Sequence, residues 1–129
     1  MSVALLIITH NDLGSVLLET ATKMLGRCPL VTETLAVTER SDPDLLQAQS
    51  RRMLDDLDRG EGVLVISDMF GSTPANIASR LCQPGRVSVV AGINLPMLVR
   101  VLNYPHLDLR TLTEKALSGG RDGVLSCNG

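Results

Sequence analysis

The stretch Val3-Ala4-Leu5-Leu6-Ile7-Ile8-Thr9-His10 decides the fold that this sequence predicts. Residues 3–9 form a continuous apolar run, the pattern of a strand that is covered on both faces as in a parallel sheet. A helical pattern starts at Leu13, so His10 stands where a strand passes into a helix. In an open α/β sheet, ligands and reacting groups collect at this carboxyl edge of the strands. His10 is therefore the first candidate for a functional residue.

The same alternation of strand and helix recurs along the rest of the chain. Repeated strand–helix units indicate parallel strands joined by right-handed crossovers. We therefore predict an α/β fold: a single doubly wound domain over residues 1–129, with helices on both faces of a mainly parallel four-stranded sheet in the flavodoxin-like order 2-1-3-4. The predicted strands cover 3–9, 30–37, 63–66 and 87–91, with a short edge strand at Val124-Leu125; the predicted helices cover 12–26, 42–59, a segment from Thr73, 94–103 and 108–118, the last ending at Gly119-Gly120.

Composition excludes several classes of partner. Twelve basic and fourteen acidic residues give a formal charge of −2, which favours neither nucleic acid nor an anionic membrane surface. Phe70 and Tyr104 are the only aromatic residues, so the sequence offers no platform for stacking bases. No apolar stretch approaches the roughly 18 residues that a membrane-spanning helix needs, so direct membrane insertion is not expected.

The three cysteines indicate the compartment. Cys28, Cys82 and Cys127 are odd in number and far apart, with no C-x-x-C pair. This pattern supports neither a zinc site nor a disulfide framework, and the N-terminus lacks the features of a secretory signal. We expect reduced thiols in a cytoplasmic protein.

His10 and Asp68 are predicted to meet. His10 ends the first strand and Asp68 ends the third, and these strands are neighbours in the predicted order. Adjacent strands lie roughly 5 Å apart, so an imidazole and a carboxylate at their tips can form a hydrogen bond. A carboxylate that accepts from one ring N–H leaves the other nitrogen free as a nucleophile. We infer that Nε2 reacts, although the sequence does not show which nitrogen faces the carboxylate.

The loop after Asp68 predicts the complementary part of a site. Gly71-Ser72-Thr73-Pro74 leads into a helix whose first N–H groups lack partners within the helix and attract an anionic group. Pro74 fits the first helical position, and Thr73 can cap the helix or donate to a phosphate. Because the chain has neither a Walker A loop nor a G-x-G-x-x-G fingerprint, a nucleotide is not the obvious ligand.

Ordinary structural roles compete with these assignments. A lone histidine after a strand is more often a hydrogen-bonded loop residue, and Asp68 alone could satisfy the N–H groups of a turn. Ser72 and Thr73 are caps whether or not they also bind a phosphate. The coincidence of a histidine, a carboxylate and a hydroxyl-rich loop at one sheet edge favours a site. His106, in Tyr104-Pro105-His106, is expected to be an exposed turn residue.

Four segments stand in order over essentially the whole chain: Ile7–His10, Asp68–Asn76, Ala91–Leu98 and Gly120–Gly123. Together they resemble the mannose-family IIA domain of the bacterial phosphoenolpyruvate-dependent sugar phosphotransferase system. The resemblance implies that His10 takes a phosphoryl group from the phosphocarrier protein HPr and passes it to a IIB partner. It also implies that Asp68 orients the imidazole and that Thr9, Gly71, Ser72 and Thr73 line the phosphoryl pocket, with no metal or organic cofactor.

The resemblance has further implications for assembly. It implies that the sheet gains an antiparallel edge strand near the C-terminus, which is often exchanged across a homodimer. Since no IIB domain follows before Gly129, the acceptor is expected to be a separate protein. Two departures stand out: Asn11-Asp12 follows the histidine where the family often has Gly, and Phe70 stands where the family often has Trp. We expect Asp12 to cap the following helix and to point away from the phosphoryl group.

Other functions stay open at this point. The chain could be a regulatory binding module whose partner senses the phosphorylation state of His10, or the phosphoryl-donor subunit of a dihydroxyacetone kinase, which resembles the same domain. A flavodoxin-like nucleotide or flavin binder is the least supported, because the chain has few aromatic residues and no glycine-rich first loop.

Overall fold

Residues 2–128, which the computed structural model describes, contain four strands that alternate with helices, and a fifth helix near the carboxyl end. The domain limits predicted at Met1 and Gly129 lie outside these residues. No helix in the described part is long and apolar enough to cross a membrane. The elements are β1 (Ala4–His10), α1 (Leu13–Leu25), β2 (Thr32–Val37), α2 (Pro43–Leu57), β3 (Val63–Ser67), α3 (Thr73–Ser79), β4 (Val87–Ala91), α4 (Leu95–Leu102) and α5 (Leu109–Asp122).

The four strands form one parallel sheet in the order β2-β1-β3-β4, which confirms the predicted doubly wound fold and strand order. β1 and β3 occupy its centre. From Leu5 to Ile8 in β1 and from Val63 to Ile66 in β3, every side chain is fully buried. Such continuous apolar strands form because helices cover both faces of the sheet.

Alternation along β1 sends successive side chains into two separate cores. Leu5 and Ile7 pack into the core that includes residues of α1, α4 and α5. Leu6 and Ile8 pack into the other core, with residues of α2 and α3. By the same alternation, the side chain of Thr9 faces α1 and the side chain of His10 faces the layer of α2 and α3. The strand therefore presents its last two polar side chains to opposite sides of the sheet.

Asp58 closes the turn between α2 and β3, so α2 ends earlier than the predicted residue 59. One oxygen of its carboxylate accepts the N–H groups of Gly60 at 2.9 Å and Gly62 at 3.2 Å. The other oxygen accepts from Arg86 Nε at 2.7 Å. The carboxylate thus ties the end of α2 to the residues that precede β3 and β4.

α5 does not end at Gly119-Gly120, as the sequence had predicted, but continues to Asp122. An added Cβ at Gly119 would lie 2.8 Å from Arg100 Cβ, and one at Gly120 would lie 2.8 Å from Met97 Cε. The two glycines therefore let α5 approach α4 closely. Asn94 Nδ2 also donates to the carbonyl of Gly120 at 3.0 Å.

The predicted antiparallel edge strand at Val124-Leu125 is not formed. Residues 124–128 are irregular, and the side chains of Val124 and Leu125 are 77% and 78% exposed. A strand requires a partner edge, and among the described residues β4 pairs as a strand only with β3. The sequence prediction at this segment is therefore wrong for the single chain.

Candidate functional site

The structure brings His10 and Asp68 together at the carboxyl edge of the sheet. β1 and β3 run parallel with Ile8 opposite Ser67, so the two strands end side by side. His10 Nδ1 lies 2.7 Å from Asp68 Oδ2, and the backbone N–H of His10 donates to the same oxygen at 2.9 Å. The nitrogen that faces the carboxylate, which the sequence left open, is therefore Nδ1, and Nε2 lies on the far side of the ring.

Burial and hydrogen bonds set the charge of this pair. The Asp68 side chain is 8% exposed and the His10 side chain 47%. Burial alone would raise the pKa of Asp68, but the backbone and ring of His10 and the N–H of Met69 together hold this pKa below its ordinary value. An ionised carboxylate beside Nδ1 favours the tautomer with the proton on Nδ1, which leaves the Nε2 lone pair free to attack an electrophile.

The turn after His10 is left-handed at Asn11, the position where the resemblance implies glycine. Asn11 has a φ of 48°, in the left-handed region that glycine adopts most easily and asparagine tolerates. Asp12 occupies the N-cap position of α1 but, contrary to the sequence expectation, its side chain forms no capping hydrogen bond. The hydroxyl of Thr9 accepts the N–H of Gly14 instead, at 2.8 Å. Asp12 itself is exposed.

The loop between Asp68 and α3 is closed by Ser72. Its hydroxyl donates to the carbonyl of Met69 at 2.6 Å and accepts the N–H of Ala75 at 3.5 Å. Gly71 has a φ of 84°, which allows the chain to turn there. The side chains at the tip point outward, since Met69 is 61% exposed and Phe70 is 89% exposed.

A cavity of about 380 Å³ lies against His10. Of the other predicted pocket residues, Thr73 lines this cavity together with His10, whereas Ser72 bonds within its own loop. Thr9 is not brought to the cavity: it is 1% exposed and faces α1. The residues that line the cavity are His10, Asn11, Val37, Thr38, Glu39, Ser41, Pro43 and Thr73.

The sequence analysis did not predict that residues 38–43, which follow β2, line this cavity. The signal was present, because Thr38 follows β2 directly and β2 is the other neighbour of β1. In the register of the sheet, His10 lies opposite Val37, so the residues that follow Val37 necessarily lie beside the histidine.

A larger cavity of about 650 Å³ lies at the amino edge of β3 and β4. Glu61 and Gly85, which precede these strands, contribute to its wall together with Asp108. Ligands of open α/β sheets bind at the opposite edge, where His10 lies. In residues 2–128, no cluster of three or more histidine, cysteine or acidic side chains is arranged to hold a metal ion.

The chain is similar to known components of the sugar phosphotransferase system (PTS). The family model described as PTS system fructose IIA component (EIIA-man) matches residues 4–116. The mannose-specific EIIAB component of the PTS of Escherichia coli (strain K12) is 34% identical over 129 residues, which cover 96% of this chain and 39% of that protein. The chain thus spans about two fifths of the length of that relative.

Two further proteins are similar. The fructose-specific EIIA component of the PTS of Bacillus subtilis (strain 168) is 39% identical over 77 residues, which cover 57% of this chain and 53% of that protein. The solved structure of the mannose/sorbose specific IIA subunit of the phosphotransferase system from Enterococcus faecalis superposes with a TM-score of 0.87. It covers 100% of this chain and 97% of its own, at 22% identity, and so supports the fold.

Proposed function

Because the chain belongs to the EIIA-man family of IIA components of the sugar phosphotransferase system (PTS), we propose that it is a phosphotransferase component that carries a phosphoryl group on His10. The donor is the phosphocarrier protein HPr and the acceptor is a IIB protein of the same system. We treat residues 1–129 as one such domain. The observation that carries the proposal is the 2.7 Å contact between His10 Nδ1 and Asp68 Oδ2.

This contact supports a defined transfer step. The lone pair of Nε2 forms a bond to the phosphorus as the bond between phosphorus and the donor breaks, and the donor keeps that electron pair. Nδ1 keeps its proton and donates it in a hydrogen bond to Asp68, whose negative charge stabilises the positive charge that grows on the ring. In transfer to the acceptor, a nucleophile of the IIB protein forms a bond to the phosphorus as the bond between Nε2 and phosphorus breaks, and Nε2 keeps that electron pair. Such a reaction requires positioning and charge stabilisation more than covalent machinery.

We assign the pocket for the phosphoryl oxygens to Gly71, Ser72 and Thr73. This loop follows Asp68 directly, and Thr73 lines the same cavity as His10. The Ser72 hydroxyl holds the loop closed through Met69, which keeps the neighbouring backbone in place. Thr9, which the resemblance assigns to the same pocket, is buried and lies outside the cavity.

Incubation with phosphoenolpyruvate, enzyme I and HPr tests the proposal by intact mass. We expect the mass of one phosphoryl group, which is lost in acid and kept in alkali because it is bound to nitrogen. Addition of a IIB protein should remove the group. A protein that gains no mass under these conditions would contradict the proposal. The regulatory and dihydroxyacetone kinase hypotheses predict the same modification but differ in the protein that then binds or accepts the group.

We also propose that the chain forms a homodimer through residues 124–128. Val124 and Leu125 are exposed apolar residues, and the outer edge of β4 has no strand partner within residues 2–128. Pairing of this segment with an edge of a second copy would bury both side chains. Light scattering at micromolar concentration should show a dimer, and Val124→Asp with Leu125→Asp should give a monomer. Leu45→Asp, at another exposed apolar position (68%), is the control, and a monomeric wild-type protein would contradict the proposal.

A further inference from the structure

The backbone turn that follows His10 requires stabilising hydrogen bonds from outside the turn. Asn11 is in the left-handed region, which asparagine enters more readily than other residues with a Cβ but less readily than glycine. Asp12 stands at the N-cap of α1 without a capping bond, so it does not satisfy the first N–H groups of that helix. Bonds from neighbouring groups stabilise such a conformation.

The Thr9 hydroxyl provides those bonds from inside the protein. It accepts the N–H of Gly14 at 2.8 Å and donates towards the carbonyl of Asn11 at 3.5 Å. One oxygen therefore bridges the turn from Asn11 to the beginning of α1. Thr9 is 1% exposed, so water does not replace these bonds when they are lost.

Gly14 makes this approach possible. An added Cβ at Gly14 would lie 2.7 Å from Ile7 Cγ2 and 3.1 Å from the Thr9 hydroxyl oxygen. The beginning of α1 therefore lies directly on the end of β1, and the backbone N–H comes within reach of the hydroxyl. The contact is a packed arrangement of helix and strand, and not a flexible surface bond.

The backbone N–H groups of His10 and of the residue after it both form hydrogen bonds with neighbouring strands or their ends. Its own N–H donates to Asp68, and the N–H of Asn11 donates to the carbonyl of Val37 at 2.9 Å. The Thr9 hydroxyl, which accepts the N–H of Gly14, lies 3.5 Å from the Asn11 carbonyl on the other side of the turn. We propose that Thr9 is a positioning residue for His10: its buried hydroxyl closes the turn around Asn11, keeps the imidazole aligned with Asp68, and does not touch the phosphoryl group. This inference rests on the proposed phosphoryl transfer at His10.

The test compares Thr9→Val, which removes the hydroxyl at nearly constant volume, with Thr9→Ser, which keeps it. Thr113→Val is the control, because the half-buried Thr113 hydroxyl bonds to the carbonyl of Leu109 within α5, away from the site. Three readouts are required: the NMR resonances of the His10 ring before phosphorylation, the rate of phosphorylation by phospho-HPr, and the rate of phosphohistidine hydrolysis.

We expect Thr9→Val to shift the His10 ring resonances and to slow phosphorylation roughly tenfold, since small displacements of a reacting group are costly. Hydrolysis of phosphohistidine should stay within about twofold of wild type. Thr9→Ser should restore the resonances and most of the rate. Should Thr9→Val not fold, Thr9→Cys keeps the volume with a weaker acceptor, and the same readouts should change in the same direction.

Two results would overturn the inference. Unchanged His10 resonances together with slower transfer or faster hydrolysis would mean that Thr9 contacts the phosphoryl group. Wild-type behaviour of Thr9→Val in all three readouts would mean that the hydroxyl does not position His10. A wild-type protein that accepts no phosphate would instead refute the proposed function, whereas the resonance comparison would still report on Thr9.

Discussion

A single oxygen of Asp68 holds His10 at two points. Asp68 Oδ2 accepts the backbone N–H of His10 at 2.9 Å and lies 2.7 Å from Nδ1 of the same residue. The second carboxylate oxygen accepts the N–H of Met69 at 2.9 Å. Because the carboxylate binds both the main chain and the ring of the histidine, it fixes the position of the strand tip as well as the orientation of the ring.

Replacement of Asp68 by asparagine should impair transfer at His10. An amide cannot accept at both oxygen positions, and it removes the negative charge that stabilises the ring cation. We expect the rate of phosphorylation by phospho-HPr to fall on the order of a hundredfold or more. Rapid-quench measurement of phosphorylated protein checks this. Asp56→Asn, on the exposed face of α2, should react at the wild-type rate, and an equal loss in both variants would argue against a specific role.

Substitutions at Asn11 should follow its left-handed backbone. Asn11→Gly should leave the free energy of unfolding within about 1 kcal/mol of wild type, because glycine adopts a positive φ without steric cost. Asn11→Val should lower it by about 1–3 kcal/mol, because a β-branched residue is strained there. Urea denaturation measures both values. Equal stability of the glycine and valine variants would show that the turn is not left-handed in solution.

The two glycines of α5 should respond differently to alanine. At Gly119 the new methyl meets Arg100 Cβ, which the α4 backbone holds in place, whereas at Gly120 it meets the flexible end of Met97. We expect Gly119→Ala to destabilise the protein by about 1–3 kcal/mol and Gly120→Ala by less. Thermal or urea unfolding of both variants tests the order. A larger loss for Gly120→Ala would mean that the helices pack in another way.

Asp58 should make folding sensitive to acid. The hydrogen bond from Arg86, with those from Gly60 and Gly62, outweighs burial and lowers the pKa of Asp58 from 3.8. Because the folded pKa lies below the unfolded one, its stabilisation is present above pH 3.8 and is lost as the pH falls through the folded pKa.

Asp58→Asn therefore provides a test of this pH dependence. The substitution should cost about 1–3 kcal/mol at pH 7, and the difference from wild type should narrow as the pH falls below about 4. Urea denaturation across this pH range measures the difference. Asp56→Asn again serves as the exposed control, and a pH-independent difference for Asp58→Asn would contradict this explanation.

The fold was predictable where burial dominates. The continuous apolar runs of β1 and β3 favoured buried strands of a parallel sheet, and the flavodoxin-like strand order then placed Asp68 beside His10. The prediction of the end of α5 failed because the role of a glycine depends on the residues that pack against it in the folded protein. Gly119-Gly120 is typical of a helix end, but close packing on α4 also requires glycine, and the sequence does not distinguish the two cases.

Within the site, the contact between His10 and Asp68 was predictable from the sequence, whereas the roles of Thr9 and Asp12 were not. The meeting of His10 and Asp68 depends on strand order, and the flavodoxin-like order that repeated strand–helix units favour was enough to predict it. The roles of Thr9 and Asp12 depend on backbone angles within one turn. An aspartate before a helix usually caps it, yet Asp12 has a ψ of 13°, outside the extended conformation that capping requires. Thr9 supplies the bond instead, and no local pattern predicts that exchange.

The most direct test of the central claim is NMR of the phosphorylated, 15N-labelled protein, read at the two ring nitrogens of His10. We expect phosphorus on Nε2 and a proton on Nδ1 that is donated in a hydrogen bond to Asp68. His106→Ala should give the same spectrum, because that histidine is exposed and lies outside the site. A phosphoryl group on Nδ1 of His10, or on any other residue, would contradict the account.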